Sequence, residues 1–338
     1  MNVNLNKETI IVFMLENYLA NKGPKNIYKP SERKGLFPII EVNHLKVLQL
    51  DNKNIDAIEP CTFDDLTQLK RLNLRNNNLK FLLRETFVGL ENLFGLYLGS
   101  NKIESIETRT FDGLNNLKIL NISRNCVKHL HKNAFCGLDS LFSLNFDFNN
   151  ISVIGSYTFA HLDQLKILRI KSNDIKKLNK YVFMGLDKLL KLDLSGNKIK
   201  LLKTHTFDGL NSLEYLNFNG NLIKSLRKNS FIELFNLIRL YINDNEIESI
   251  EPYAFNGLSR LNKLSMVLNK MYHLHSCTFK GLYNLDELFL YECQIKSLEP
   301  YAFEGLDQLR NLHLHSNEIK NLWKYRFFGL ENLDNLYA

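Results

Sequence analysis

Apolar residues in this chain fall on a fixed 24-residue grid. The first leucine of each turn of the grid stands at Leu45, Leu69, Leu93 and onward through Leu309 to Leu333, giving twelve complete units and the opening of a thirteenth. A strict period of this length marks a solenoid, in which each unit packs only on its neighbours. In the unit that starts at Leu93, the framework is Leu93, Leu96 and Leu98, and apolar and other positions alternate around the last two. That alternation predicts a short half-buried strand. Strands of successive units then pair in parallel and their inward leucines stack into one linear core. The outward residues, here Gly95, Tyr97 and Gly99, line an open face.

Two polar-to-apolar landmarks complete the unit. Asn101 follows the strand, and ten of the twelve complete units carry Asn at this position, the exceptions being Lys53 and Cys293. An asparagine amide both accepts and donates, so it satisfies backbone groups where the chain turns inside the coil. Cys293 reads as a small structural replacement with no chemistry of its own. Further on, Ile103 and Ile106 precede a polar turn, and then a Phe recurs in every complete unit from Phe63 to Phe327. A Gly usually sits two residues later, as Gly113 does after Phe111, which suits a tight return on the convex side. The stacked rings predict a second core line that belongs to the fold.

The motif LxxLxLxxNxIxxIxxxxFxxLxx resembles the 24-residue typical leucine-rich repeats of animal extracellular proteins, the group that includes Slit, chaoptin, Toll-like receptor ectodomains and the acid-labile subunit. The resemblance covers residues 45–338. It implies an α/β leucine-rich-repeat solenoid, a curved right-handed superhelix with a parallel sheet on its concave face. The convex side would be lined by Phe with little regular helix. It also implies a protein-binding role, usually outside the cell. The expected organisation is an amino-terminal segment 1–44, twelve repeats over 45–332, and the start of a thirteenth over 333–338.

Composition changes this picture at the ends. Ile10, Ile11, Met14, Tyr18 and Leu19 fit one face of a short helix over 7–20. The apolar run Ile10–Leu15, flanked by Glu8 and Glu16, is a poor secretory signal. No segment reaches the roughly 18–20 apolar residues of a membrane span. The five cysteines show no paired spacing. Cys61 and Cys277 lie nine repeats apart, roughly 40 Å at about 4.8 Å per strand, too far to bridge. Extracellular relatives usually close both ends with cysteine-rich caps, whereas residues 1–44 hold no cysteine. The expectation is therefore a fragment of a longer protein, or an end covered by a partner or a second copy.

The net charge of +7 is mixed along the chain. Outward basic residues (Arg71 with Arg75, and Arg169 with Lys171 and Lys191) are interrupted by Asp51, Asp147 and Asp193. That pattern argues against a nucleic-acid reader, which concentrates basic charge on one face, and leaves sulfated glycan only a weak candidate. No phosphate loop, dinucleotide fingerprint, HExxH or GxSxG occurs. Three His-Leu-His pairs (His129 and His131, His273 and His275, His313 and His315) each flank an inward leucine. Two ligands do not make a metal site. No catalytic residue, metal or cofactor is expected.

The outward strand positions carry the candidate binding site. In the amino-terminal half they are small or polar, as with Asn73, Ser123 and Asn145. Further on they become aromatic and charged: Tyr215, Arg239, Tyr241, Lys263, Phe289, Tyr291, His313 and His315, with Val267, Glu287 and Tyr337 nearby. Aromatic residues and Arg anchor protein interfaces more often than other types. Two glycosylation sequons, Asn121-Ile122-Ser123 and Asn150-Ile151-Ser152, would be used if the chain is secreted. A glycan on Asn121 would push contact toward the carboxyl half. The sequence thus predicts a non-enzymatic recognition or adhesion module that binds a protein ligand. An intracellular scaffold of the same fold, or an ectodomain piece of a larger receptor or enzyme, are the alternatives.

Overall fold

The computed structural model describes residues 44–320 and 325–338. The expected helix over 7–20, and all but the last residue of the segment 1–44, lie outside the described residues. The chain divides into two compact units, Met1–Asn150 and Ile151–Ala338. Among the described residues no helix forms; three-residue and two-residue strands alternate with turns.

In the first unit, Val47–Gln49, Arg71–Asn73, Gly95–Tyr97, Ile119–Asn121 and Ser143–Asn145 pair in sequence order, all parallel. The second unit repeats the arrangement from Ile167–Arg169 through Tyr215–Asn217, Arg239–Tyr241, Lys263–Ser265 and Glu287–Phe289 to Asn311–His313 and Asn335–Tyr337. Every register is offset by one repeat, so Leu48 faces Leu72 and Leu264 faces Leu288. The central leucine of each strand through Leu312 is buried, as are Leu98 and Leu290 at the strand exits. Burying a leucine or phenylalanine side chain contributes about 1.5–3 kcal/mol, and each repeat adds the same set. Leu336, in the last strand, is exposed.

The asparagine ladder works as its chemistry requires. Asn197 donates through Nδ2 to the carbonyls of Ile170 and Leu194, at 2.9 and 3.0 Å. Its Oδ1 accepts the Ile175 amide at 3.1 Å, so one side chain stitches two repeats. Cys293 takes the same place with less: its thiol donates to Met266 O at 3.1 Å. Burial pushes that thiol up to about 12, which keeps it protonated and unreactive. On the opposite side of the core the phenylalanines stack, with Phe231 and Phe255 6.1 Å apart and Phe279 and Phe303 5.9 Å apart.

A feature beyond the sequence reading is a set of two-stranded parallel sheets behind the Asn position. Phe81–Leu82 pairs with Ser105–Ile106, Ser225–Leu226 with Ser249–Ile250, and His273–Leu274 with Ser297–Leu298. Two of the His-Leu-His pairs therefore sit on or beside short strands, His129 and His131 at His129–Leu130 and His273 and His275 at His273–Leu274. Only His313 and His315 belong to the long-sheet face.

Candidate functional site on the sheet face of the second unit

Strand geometry decides which side chains meet. In the long sheet, alternate residues face outward and equivalent positions sit one strand spacing apart. Asn217, Tyr241, Ser265, Phe289, His313 and Tyr337 therefore form one outward column. Tyr215, Arg239, Lys263, Glu287 and Asn311 form a second. Tyr291 and His315 follow the strands in a third.

The rings are stacked along these columns. His313 lies between Phe289 and Tyr337, 4.3 Å from each, at interplanar angles of 13° and 8°. His315 stacks on Tyr291 at 4.5 Å. Lys263 places its ammonium 4.5 Å from the centre of the Phe289 ring and 2.6 Å from Glu287 Oε2. These five aromatic and basic side chains before Tyr337 are half-buried, and Tyr337 is exposed. Flat rings held edge to edge and face to face are a rigid apolar surface with little rotamer freedom left to lose on binding.

Tyr215 and Tyr241 form a second cluster, their rings 5.3 Å apart. Between it and the first lie Ser265, buried and donating to Asn243 Oδ1 at 2.7 Å, and Val267, also buried. Arg239 is exposed at the edge of this cluster. The structure thus gathers the eight predicted residues into two groups rather than one continuous strip. Val267, expected outward with them, is covered.

Burial sets the protonation of two members. It pushes the Tyr215 phenol up, with Asp193 and Tyr241 acting in the same direction. Burial also lowers His313 from its ordinary 6.5, helped by the neighbouring His315 and Lys263 and opposed by Glu287. His313 is accordingly neutral near pH 7, which suits a ring in an aromatic stack.

The strand-exit position supplies two apolar residues that the sequence reading passed over. Most units place Asn, Ser, Gly, Arg, Asp or Glu there, with φ near +60°. Phe148 and Leu268 hold the same left-handed conformation (φ 58° in both) and are 42 % and 48 % exposed. An apolar residue in that conformation gains nothing from local hydrogen bonding, and its departure from the Asn/Ser/Gly rule was visible in the sequence. Outside the sheet face, His205, Asp208 and Glu233 come together from two repeats, a grouping with no recognisable spacing.

The sequons differ in setting. Asn150 is exposed, whereas Asn121 is half-buried on the sheet face. Its Oδ1 accepts the Ser123 amide at 3.0 Å and the Ser123 hydroxyl at 2.7 Å. Two basic residues of the first unit's face lie against rings: Arg75 is 4.7 Å from the Tyr97 ring centre and Arg124 the same distance from Phe148. Among the described residues no helix is long and apolar enough to cross a membrane.

The repeat geometry is matched by a family model described as leucine rich repeat over residues 43–103, 95–151, 235–295, 261–319 and 284–338. The chain belongs to the leucine-rich repeat family. A second model, the BspA type leucine rich repeat region, matches residues 128–262. No curated protein sequence matches the chain. Among solved structures it is similar to TLR13 in a complex with ssRNA13, at 26% identity and a TM-score of 0.67, over 86% of this chain and 49% of that one. A leucine-rich-repeat protein of Leptospira interrogans shares 27% identity at a TM-score of 0.70, over 86% of this chain and 71% of its own. The mouse RP105/MD-1 complex shares the fold at 24% identity and a TM-score of 0.69, over 82% of this chain and 47% of that one. The chain thus spans about half the length of TLR13. Solenoids of this family are interaction scaffolds, and this leucine-rich repeat chain is a protein-interaction module.

Proposed function

We propose that the module recognises a protein ligand on the sheet face of its second unit and has no enzymatic activity, acting outside the cell or as part of a receptor ectodomain. The observation that carries this reading is the stack of Phe289, His313 and Tyr337 beside Tyr291, His315 and Lys263. Such pre-ordered rings with a cation at their edge match the residue types that dominate interface energies. The smaller Tyr215, Tyr241 and Arg239 group extends the contact across neighbouring strands. The basic residues beside it alternate with Asp193 and Glu287, which favours a protein over a nucleic acid or a sulfated glycan. In a secretory setting Asn150 and Asn121 would carry glycans, Asn150 more completely because it is exposed.

Tyr241→Ala and Phe289→Ala should each weaken binding to the native partner while circular dichroism and the unfolding midpoint stay near those of the parent. Normal binding by both variants would remove the sheet face of this unit as the site. An intracellular scaffold is the second reading, favoured by the free thiols of Cys126, Cys136, Cys277 and Cys293. A glycosidase mobility shift on the native protein would oppose it.

A further inference from the structure

Position 233 is one of three, with Asp65 and His161, at which the recurring glycine is replaced. Two residues after the repeat Phe, glycine turns the chain with φ near +90°, as at Gly209 and Gly257. A Cβ there would come within 2.7 Å of Phe183 O and 2.4 Å of Ile232 O respectively. The corresponding residue after Phe231 is Glu233, which has no positive φ. The units on either side keep the glycine, and a local departure of this kind is expected where a side chain has a task of its own.

The Glu233 carboxylate reaches back into the preceding repeat. In five other repeats the amide at the left-handed position ahead of the Phe donates to a carbonyl one repeat on, as Cys61 does to Glu85 O and Tyr157 to Tyr181 O. The His205 amide instead donates to Glu233 Oε1, at 2.9 Å. The His205 ring nitrogen Nδ1 lies 3.3 Å from that same oxygen and 3.2 Å from Asp208 Oδ1. Glu233 Oε2 is shut off from solvent and has no hydrogen-bond partner. A buried carboxylate oxygen without a donor is costly and calls for a cationic or protic neighbour.

The spacing suits a metal. Ligand atoms on a tetrahedral Zn2+ with arms of about 2.0–2.2 Å stand about 3.3–3.5 Å apart. The two distances from His205 Nδ1 are close to such edges, and the three ligand atoms all lie within 4.8 Å of one another. We propose that His205, Asp208 and Glu233 form a three-ligand site for a divalent transition-metal ion, Zn2+ by its nitrogen and oxygen donors. The fourth position is open to water or a partner's side chain. His205 is more than half exposed, so an ion reaches it from solvent. A cavity of about 400 Å³, lined in part by Lys203, Thr204, His205 and Thr206, adjoins the site. The site lies outside the aromatic face and does not depend on the binding role proposed for it.

The competing state is metal-free, with the His205 ring held between the two carboxylates. Titrating the full chain with Zn2+ under reducing conditions, with no affinity tag, separates the two. One Zn2+ should bind per chain and raise the thermal midpoint, and Co2+ in its place should give the visible absorption of a four-coordinate site. Glu233→Gly restores the glycine of the repeat, so it should fold like the parent, and it should lose both the bound ion and the thermal shift. His205→Gln should lose them too. Absence of saturable binding in the parent, or binding unchanged in both variants, would overturn the proposal.

Discussion

The two sheet faces of this protein share a backbone and differ in what stands on it. In the first unit the outward columns carry Gly95, Gly99, Ser123, Asn73 and Asn145, and Arg75 and Arg124 lie against the rings of Tyr97 and Phe148. In the second unit the same register presents Tyr241, Phe289, His313 and Tyr337, three of them in one stack. The cores beneath are alike: Leu96 and Leu288 are equally buried, and Phe111 and Phe255 are both fully covered. Leucines, asparagines and phenylalanines therefore hold the coil everywhere, while the face residues are free to vary. A difference between faces that the core does not require is where recognition is expected to lie.

Equal cores predict equal losses on truncation. Phe111→Ala and Phe255→Ala should each destabilise by about 3–5 kcal/mol, the range for truncating a buried Phe. Chemical denaturation of both variants should return similar losses; a loss in one unit only would mean that the repeats are not energetically equivalent. Asn197→Ala comes next. It strands the Ile175 amide, while the Ile170 and Leu194 carbonyls keep Asn173 and Asn221 as donors, so the loss should be about 1–3 kcal/mol, the range for one buried group left unsatisfied. Asn317, less buried near the end of the second unit, should cost less because water replaces the lost bonds.

Truncating the face should do the reverse, sparing stability and removing affinity. Phe289→Ala is expected to cost about 2 kcal/mol of binding, roughly a thirtyfold weaker Kd, with a small change in unfolding midpoint. Asn73→Ala, on the first face, should leave binding unchanged. A binding assay on the pair sharpens the contrast between units.

The smallest effect is in acid. His313 has its folded-state value lowered beneath the ordinary 6.5, mainly by burial. Below 6.5 the unfolded chain takes up a proton that the folded stack resists, so stability falls as pH drops. It levels off once the pH is under the lowered value. Above 6.5 this contribution is complete. His313→Gln should flatten that part of the stability profile, as measured by thermal midpoints between pH 7 and 5.

Much of this was legible because the repeat states it again and again. The leucine grid placed every long-sheet strand, and the ten asparagines and twelve phenylalanines announced their ladders by recurrence alone. The short second strands were not legible: two residues such as Ser225–Leu226 are too few to show an alternation. Sequence placed Tyr241, Phe289 and Val267 on one face, but Val267 is buried, which depends on how its neighbours close over it. Stacking of His313 between two rings follows from register, and register from the period, so it could have been read in advance. The His205, Asp208 and Glu233 group could not, because its ligands come from successive repeats and only the missing glycine at 233 hinted at it.

The central claim, that the second unit's face makes the contact, is tested most directly by site-specific photo-crosslinking in the protein's native surroundings. A benzophenone side chain at Tyr291 is compared with one at Asn73, the same face in the first unit. The account predicts one discrete protein adduct from position 291, abolished by Phe289→Ala, and none from position 73. Equal adducts from both positions, or an adduct from 73 alone, would contradict it.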